Sequence, residues 1–413
     1  MAGTLAILVG GGPAPGINGV IASAAMEASK CGLRAIGIYD GYRDLAAGAA
    51  PSTIELNFDR VSRIHTSGGS ILRTSRTNPA KDEATLARCV DSLDALGVRY
   101  LVCIGGDDTT YGAAKIAERM RGRIGVATVP KTIDNDLPLP DNAPTFGFET
   151  ARSVGSGILE SLMEDARTTA RWYIVICMGR KSGSLALGMC KASGSTVAVL
   201  PEELPEHATL AGVVDAIVGS IVKRRSFGRE HGIAVVAEGV AEHVWDDLRD
   251  AVEHLGRDSF GNVRLADVPL GIVLRDAVRA RLAEIGVDSL PHTKDIGYEL
   301  RCAKPVAFDV DYTRTLGFGA VRYLLDGGSG ALIALSGGHV TPVDLGELLD
   351  PVTGRIRTRQ VDLTTEAYRV ARDYMVYLDP SDFSDEGKLA ALAAQTNLRP
   401  QVFREQFGPV ARD

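Results

Sequence analysis

The feature that most constrains this chain is a repeated pairing of short apolar runs with helical patterns, joined by glycine-rich turns. The runs Leu5–Val9, Ala35–Tyr39, Tyr100–Ile104, Ile124–Val129, Trp172–Met178, Thr196–Leu200, Ile233–Ala237 and Ala331–Leu335 read as strands. Several are apolar on both faces, as parallel strands covered by helices on each side must be. Helical patterns occupy Ile17–Cys31, Thr110–Arg121, Glu149–Ala170, Ser182–Ala192 and Leu210–Arg225. This rhythm predicts an α/β protein with two layered, mainly parallel sheets. Ligands of such sheets bind beyond the carboxyl ends of the strands, where turns lead into helices.

At 413 residues and 45% apolar composition the chain can bury a large core, enough for roughly two to three domains. No repeat or low-complexity linker marks a boundary. The stretch Pro138–Pro144 carries three prolines in seven residues and cannot continue a strand or helix, so the division is expected there. The residues from about Ser381 onward are polar and helical in pattern, and are expected to form a peripheral appendage. A formal net charge of −7 argues against a nucleic-acid partner. The N-terminal apolar run ends at Val9 without a basic segment before it, and no other stretch reads as a membrane span. Six scattered cysteines without a CxxC pair suit reduced structural thiols in a cytoplasmic protein. The seven histidines show no zinc-ligand spacing.

Three segments carry chemistry. Gly10-Gly11-Gly12-Pro13-Ala14-Pro15-Gly16 follows a strand and opens a helix. Its bare backbone and the helix N-terminus suit a phosphate, although a plain tight turn explains it equally well. Gly105-Gly106-Asp107-Asp108-Thr109-Thr110 places two carboxylates after paired glycines. One carboxylate suits Mg²⁺; alternatively the segment is a helix start capped by Asp108 or Thr109. Pro130-Lys131-Thr132-Ile133-Asp134-Asn135-Asp136 offers a general base beside a cation, or else a surface turn. Met178-Gly179-Arg180, Ala237-Glu238-Gly239 and Gly297-Tyr298-Glu299-Leu300-Arg301 each put polar groups at strand ends, where surface ion pairs are the commoner use.

Taken together, GGGPAPGIN, GGSILRTSR, GGDDTT, PKTIDND, MGRKSG, AEG and GYELR stand in the order of the phosphofructokinase family, from residue 10 to residue 301. The chain resembles that family over nearly three quarters of its length. The resemblance implies two domains with Rossmann-like layered sheets and the active site in the cleft between them. Residues 1–143 plus 300–350 would form the phosphoryl-donor domain, and 144–299 plus 351–413 the sugar-phosphate domain. The implied reaction moves a phosphoryl group to the 1-hydroxyl of fructose 6-phosphate, with Mg²⁺ as cofactor. Asp134 resembles the catalytic base, with Asp136, Lys131 and Arg180 as its catalytic companions, and Asp107 resembles the metal-associated residue. Gly12 and Arg76 resemble contacts to the transferred phosphoryl. Thr132, Ile133, Met178, Gly179, Arg180 and Glu238 resemble contacts to the sugar phosphate, while Tyr298 and Arg301 resemble the grip on its 6-phosphate. Arg171 and Lys294 match positions that relatives supply from a neighbouring subunit, which implies a homo-oligomer, dimer or tetramer.

The resemblance also bears on the donor. Relatives that use ATP carry Gly at the position of Asp108. A carboxylate there would fill the place of the nucleotide α-phosphate and repel it, which favours pyrophosphate. Lys131, often Gly in bacterial ATP enzymes, is expected to contact the pyrophosphate. Ala22 and Met26 replace the first-helix arginines of regulated relatives, so no allosteric control of that kind is expected. The alternatives are ATP as donor, sedoheptulose 7-phosphate as acceptor, and a non-catalytic regulatory subunit that binds sugar phosphate.

Overall fold

The computed structural model describes residues 3–249, 265–350 and 356–412. These pack as two units. Among the described residues, one comprises 3–151, 298–350 and 356–359; the other comprises 152–249, 265–297 and 360–412. The chain therefore leaves the first unit within the helix Phe148–Thr169 and not at the proline-rich stretch. The prolines do end regular structure, but Leu137 and Leu139 stay in the first unit, buried with Leu332, Ala334 and Leu345. Residues 351–355, which open the last segment of the expected sugar-phosphate domain, lie outside the described residues.

The first unit is built on an eight-stranded sheet with strand order β12-β11-β5-β4-β1-β2-β3, and β6 paired to β5. Its strands are β1 (Thr4–Val9), β2 (Arg34–Ile38), β3 (Thr53–Glu55), β4 (Val98–Gly105), β5 (Gly125–Thr132), β6 (Phe146–Gly147), β11 (Ala331–Ser336) and β12 (His339–Asp344). All pairings are parallel except those of the two edge strands, β3 and β12. The period-two alternation of a strand sorts its side chains into two cores. Leu5, Ile7 and Val9 face the helices Ile17–Lys30 and Ala307–Leu325, whereas Ala6 and Leu8 face Glu83–Ala95 and Asp107–Met120. Val102 and Ile104 against Leu101 and Cys103 repeat the pattern in β4. Full burial of each such aliphatic side chain stabilises the fold by about 1.5–3 kcal/mol, which explains why the middles of these central strands are mostly apolar.

The second unit has a four-stranded parallel sheet, β10-β7-β9-β8, formed by β7 (Trp172–Cys177), β8 (Val197–Val199), β9 (Gly232–Ala237) and β10 (His292–Ile296). Trp172, Ile174 and Val236 pack against the helices Leu210–Ser226 and Leu270–Glu284. The C-terminal segment is not an appendage. Leu389, Leu392, Phe403 and Phe407 belong to this same core, and Phe403 and Phe407 are fully buried and stacked. Their helices read as polar because each is short and presents few large apolar positions, yet Leu389, Leu392, Phe403 and Phe407 all face inward. Polar ties reinforce the packing: Lys223 pairs with Asp379 and Asp382, and Arg412 with Glu203. The helix Leu210–Ser226 and the tail are thus partners in one core.

Burial pushes the Cys89 and Cys103 thiols up to about 12 and raises that of Cys190 as well, the behaviour of structural thiols rather than reactive ones. Among the described residues no helix is long and apolar enough to cross a membrane.

Candidate active site

In the first unit the chemistry-bearing turns lie at the carboxyl ends of three adjacent strands. β1 leads into Gly10–Gly12, β4 into Gly106–Asp108, and β5 into Ile133–Asp136. The helix Asp107–Met120 starts with Gly106 as its N-cap and no side chain caps it. Neither Asp108 nor Thr109 takes that place, and the helix begins three residues before the apolar periodicity suggests. Thr109 is instead buried between glycines. A β-carbon on Gly10 would lie 2.3 Å from its Oγ1, and one on Gly105 2.2 Å from its Cβ. Both positions exclude any side chain, so the turns after β1 and β4 close against each other. Asp107 and Asp108 occupy the first helical turn, half-buried.

Gly11 adopts a left-handed conformation (φ 78°) and its N–H donates to Ser75 O at 2.9 Å. The Thr74 hydroxyl donates to Gly11 O at 2.6 Å. Exposed Arg76 therefore follows directly on residues tied to the glycine turn. A β-carbon on Gly11 would come 3.1 Å from Lys131 Nζ, and one on Gly12 3.2 Å from the Arg301 guanidinium carbon. Two cations thus flank a bare backbone, an arrangement that suits an anion. Lys131 and Thr132 are buried members of β5, which runs through both of them rather than ending at Val129.

The Ile133–Asp136 turn is held from several sides. The Asp134 N–H donates to Thr132 Oγ1 at 3.0 Å, and the Thr145 hydroxyl donates to Thr132 O at 2.7 Å. Asn135 is left-handed (φ 57°), and its Oδ1 accepts from Thr145 N at 3.1 Å and from the Arg359 guanidinium. Arg359 also donates to Asn135 O at 3.0 Å and to Ala143 O at 2.9 Å, and its backbone N–H to Asp136 O at 2.7 Å. Burial holds the Arg359 guanidinium below its ordinary pKa, an effect that the Asp136 carboxylate and Tyr312 partly offset. Ile133, Asp134 and Asp136 are buried, and Asp134 Oδ1 has no hydrogen-bond partner.

In the second unit, Met178–Arg180 follows β7 and Glu238 follows β9. Glu238 is buried, and its Oε1 accepts from the N–H groups of Gly179 (3.0 Å) and Arg180 (2.7 Å). Arg180 is left-handed (φ 52°), and Met178 N donates to Ile296 O of β10 at 3.1 Å. The Met178 side chain packs over Gly297, where a β-carbon would meet its Cε at 2.8 Å. Glu202 Oε1 accepts from Gly183 N and Val361 N, both at 2.9 Å. Arg171 precedes β7 and Lys294 lies within β10; both are half-buried.

Residues 4–324 match the sequence model of the phosphofructokinase family. The chain belongs to that family. It is 49% identical over 98% of both chains to the pyrophosphate–fructose 6-phosphate 1-phosphotransferase of Thermotoga maritima. It is 45% identical to the protein of the same name from Naegleria fowleri, over 98% of this chain and 95% of that one. In fold it resembles the solved pyrophosphate-dependent phosphofructokinase of Marinobacter aquaeolei, with a TM-score of 0.66 at 16% identity, covering 100% of this chain and 92% of that one.

The first unit brings together Gly12, Arg76, Asp107, Asp108, Lys131, Thr132, Ile133, Asp134, Asp136, Tyr298 and Arg301; the second contains Arg171, Met178, Gly179, Arg180, Glu238 and Lys294. Tyr298 belongs to the first unit although the expected division assigns it to the second. It is 66% exposed, with the Arg301 guanidinium over its ring at 5.2 Å. Arg359, Thr145 and Glu202 shape the turns without standing in any of the motifs, and Asn135 stands in PKTIDND without being a candidate there. Arg359 gives no local signal, because its partners lie 216 to 224 residues away in sequence.

Among the described residues no group of three or more His, Cys, Asp or Glu forms a metal cage. Mg²⁺ does not need one, since it binds through one or two carboxylates together with substrate phosphate oxygens. Asp107 and Asp108, half-buried on one helical turn beside the glycine turn, fit that requirement.

Proposed function

We propose that this chain transfers a phosphoryl group from pyrophosphate to the 1-hydroxyl of fructose 6-phosphate, reversibly and without allosteric nucleotide control, in the cytosol. The observation that carries the reading is Asp134 Oδ1, a buried carboxylate oxygen without a donor in a turn fixed on every other side. Buried acceptors are nearly always paired, so this one suits a substrate hydroxyl. Asp134 takes the proton of the 1-hydroxyl as O1 bonds to phosphorus; the bond from that phosphorus to the leaving phosphate breaks in line. The products are fructose 1,6-bisphosphate and phosphate. Lys131 and Arg76, with the bare backbone of Gly12, bind and orient the pyrophosphate, and Asp136 supports the base. Such transfer depends mainly on positioning and charge neutralisation.

Asp107 would hold Mg²⁺, which neutralises charge on the phosphate oxygens when bound. Asp108 would exclude ATP by charge and volume. Thr132, Ile133, Met178, Gly179, Arg180 and Glu238 would contact the sugar phosphate. Thr132 Oγ1 already accepts from Asp134 N, and Ile133 is buried, so main-chain groups suit that contact best. Arg180 would also offset transition-state charge. Tyr298 and Arg301 would grip the 6-phosphate, and the place of Arg301 beside Gly12 suits an additional contact to the transferred group. Arg171 and Lys294 would complete a neighbouring subunit's site in a homo-oligomer.

The purified protein is to be assayed with Mg²⁺ and fructose 6-phosphate, with pyrophosphate and ATP offered in parallel. Fructose 1,6-bisphosphate from pyrophosphate alone supports the reading, and its loss by roughly 10²–10⁴-fold in Asp134→Ala supports the base. Turnover with ATP alone refutes the role of Asp108. Silence with both donors refutes the proposed reaction.

A further inference from the structure

We infer that Arg359 is a positioning residue for phosphoryl transfer: it holds the left-handed Asn135 that separates the Asp134 and Asp136 carboxylates. This rests on the reading of Asp134 as the base. Its geometry is unusual for an arginine that merely anchors a strand. All three guanidinium nitrogens donate: Nε to Asn135 O and Nη2 to Asn135 Oδ1 within the turn, and Nη1 to Ala143 O, which braces the guanidinium from outside it. The Arg359 backbone N–H then takes Asp136 O. Asn135 is therefore gripped at its carbonyl and its side chain, and the next residue at its carbonyl.

Asparagine tolerates positive φ better than most residues, but the conformation still costs energy that its surroundings must offset. If Asn135 relaxes toward negative φ, the peptide planes on both sides rotate, and both carboxylates change direction. Among the described residues, Thr145 alone supplies the other bond to Asn135 Oδ1 and none to its carbonyl. The phenol of buried Tyr312 has no hydrogen-bond partner, and burial pushes its pKa up to about 12, so it stays neutral and does not take over the role of Arg359. Lysine would keep the charge but not the planar fork that reaches three oxygens at once.

The test uses the full chain carrying Arg359→Ala, Arg359→Lys, Asn135→Gly, and Arg359→Ala combined with Asn135→Gly. Arg359→Ala is expected to lower kcat by roughly 10²-fold, the scale of a misplaced catalytic group, with the KM of both substrates little changed. Guanidinium ion at tens of millimolar should restore much of that loss, and equal sodium chloride none. Arg359→Lys should fall between the two. The combined variant should lose less than the product of the single losses, because both changes act on one turn. Amide exchange at residues 133–136 should quicken in Arg359→Ala.

Unchanged turnover in Arg359→Ala overturns the inference. So does a raised KM at constant kcat, or a loss that guanidinium does not repair and that multiplies with Asn135→Gly. If Arg359→Ala does not fold, wild-type kcat in Arg359→Lys has the same consequence. A wild-type chain inactive with pyrophosphate and fructose 6-phosphate would instead remove the proposed reaction. In that case unchanged exchange at 133–136 in the Arg359 variants still overturns the hold on the turn.

Discussion

Glu238 is the residue whose replacement most directly tests how the second unit shapes its turn. Its Oε1 accepts two backbone N–H groups, from Gly179 at 3.0 Å and from Arg180 at 2.7 Å, and the residue is 5% exposed. Hydrogen bonds to a charged group contribute about 1.5–3 kcal/mol each, against about 0.5–1.5 for neutral pairs. Glu238→Gln keeps an oxygen in place but removes the charge, so the two bonds together weaken by about 2–3 kcal/mol. Glu238→Ala leaves two buried donors unpaired, at about 1–3 kcal/mol each. Arg180 sits at positive φ (52°), so nothing intrinsic to its backbone maintains the turn once Glu238 lets go. If the whole loss in Glu238→Gln is felt in binding, the KM for fructose 6-phosphate rises about 30- to 150-fold, since 1.36 kcal/mol is a factor of ten. The KM for pyrophosphate should stay nearly constant. Steady-state kinetics with each substrate varied in turn, together with a thermal melt, read both quantities. A Glu238→Gln enzyme with unchanged KM for the sugar phosphate and an unchanged melt would refute the claim that these two bonds set the turn.

Three further outcomes follow from the packing. Gly10→Ala should destabilise the first unit by about 1–3 kcal/mol through overpacking against Thr109, and adding Thr109→Ala should recover most of it, as read by thermal melts. Phe403→Ala should cost about 3–5 kcal/mol as a large-to-small change in a core, and urea melts followed at Trp172 report it. For Asp379, burial opposes ionisation, but the Lys223 ammonium and the Ser381 N–H outweigh it and bring its pKa from 3.8 down to about 2. Because the folded value is depressed, its stabilising contribution is complete above about pH 4 and is lost as pH falls toward 2. Partial exposure of Asp379 makes this contribution small, so it is best read as faster amide exchange in the tail over that window, which Lys223→Met should abolish.

The central strands were legible because burial on both faces fills their middles largely with apolar residues. β1, β4, β5, β7 and β9 all announce themselves in this way. The turns after them were legible for a related reason: glycine at Gly10 and Gly105 is demanded by Thr109, and such demands survive as motifs. Two edge strands were not, although the apolar edge strand β8 was. β10 (HTKDI) and β12 (HVTPVD) are polar because an edge strand with an open face has no apolar requirement, so no period marks them. The C-terminal helices misled for the opposite reason, since a few inward residues such as Phe403 and Phe407 suffice to bury a short helix. What the sequence determined by itself was therefore the layered α/β class, the family, and the residue types at the strand ends. Tertiary structure decided the rest: that Arg301 lies beside Gly12, that Glu238 holds the Gly179–Arg180 turn, and that Arg359 grips Asn135 from 224 residues away. Each of these is a hydrogen-bonding or packing demand met across long stretches of chain, and a linear pattern carries no record of a partner that only folding brings near.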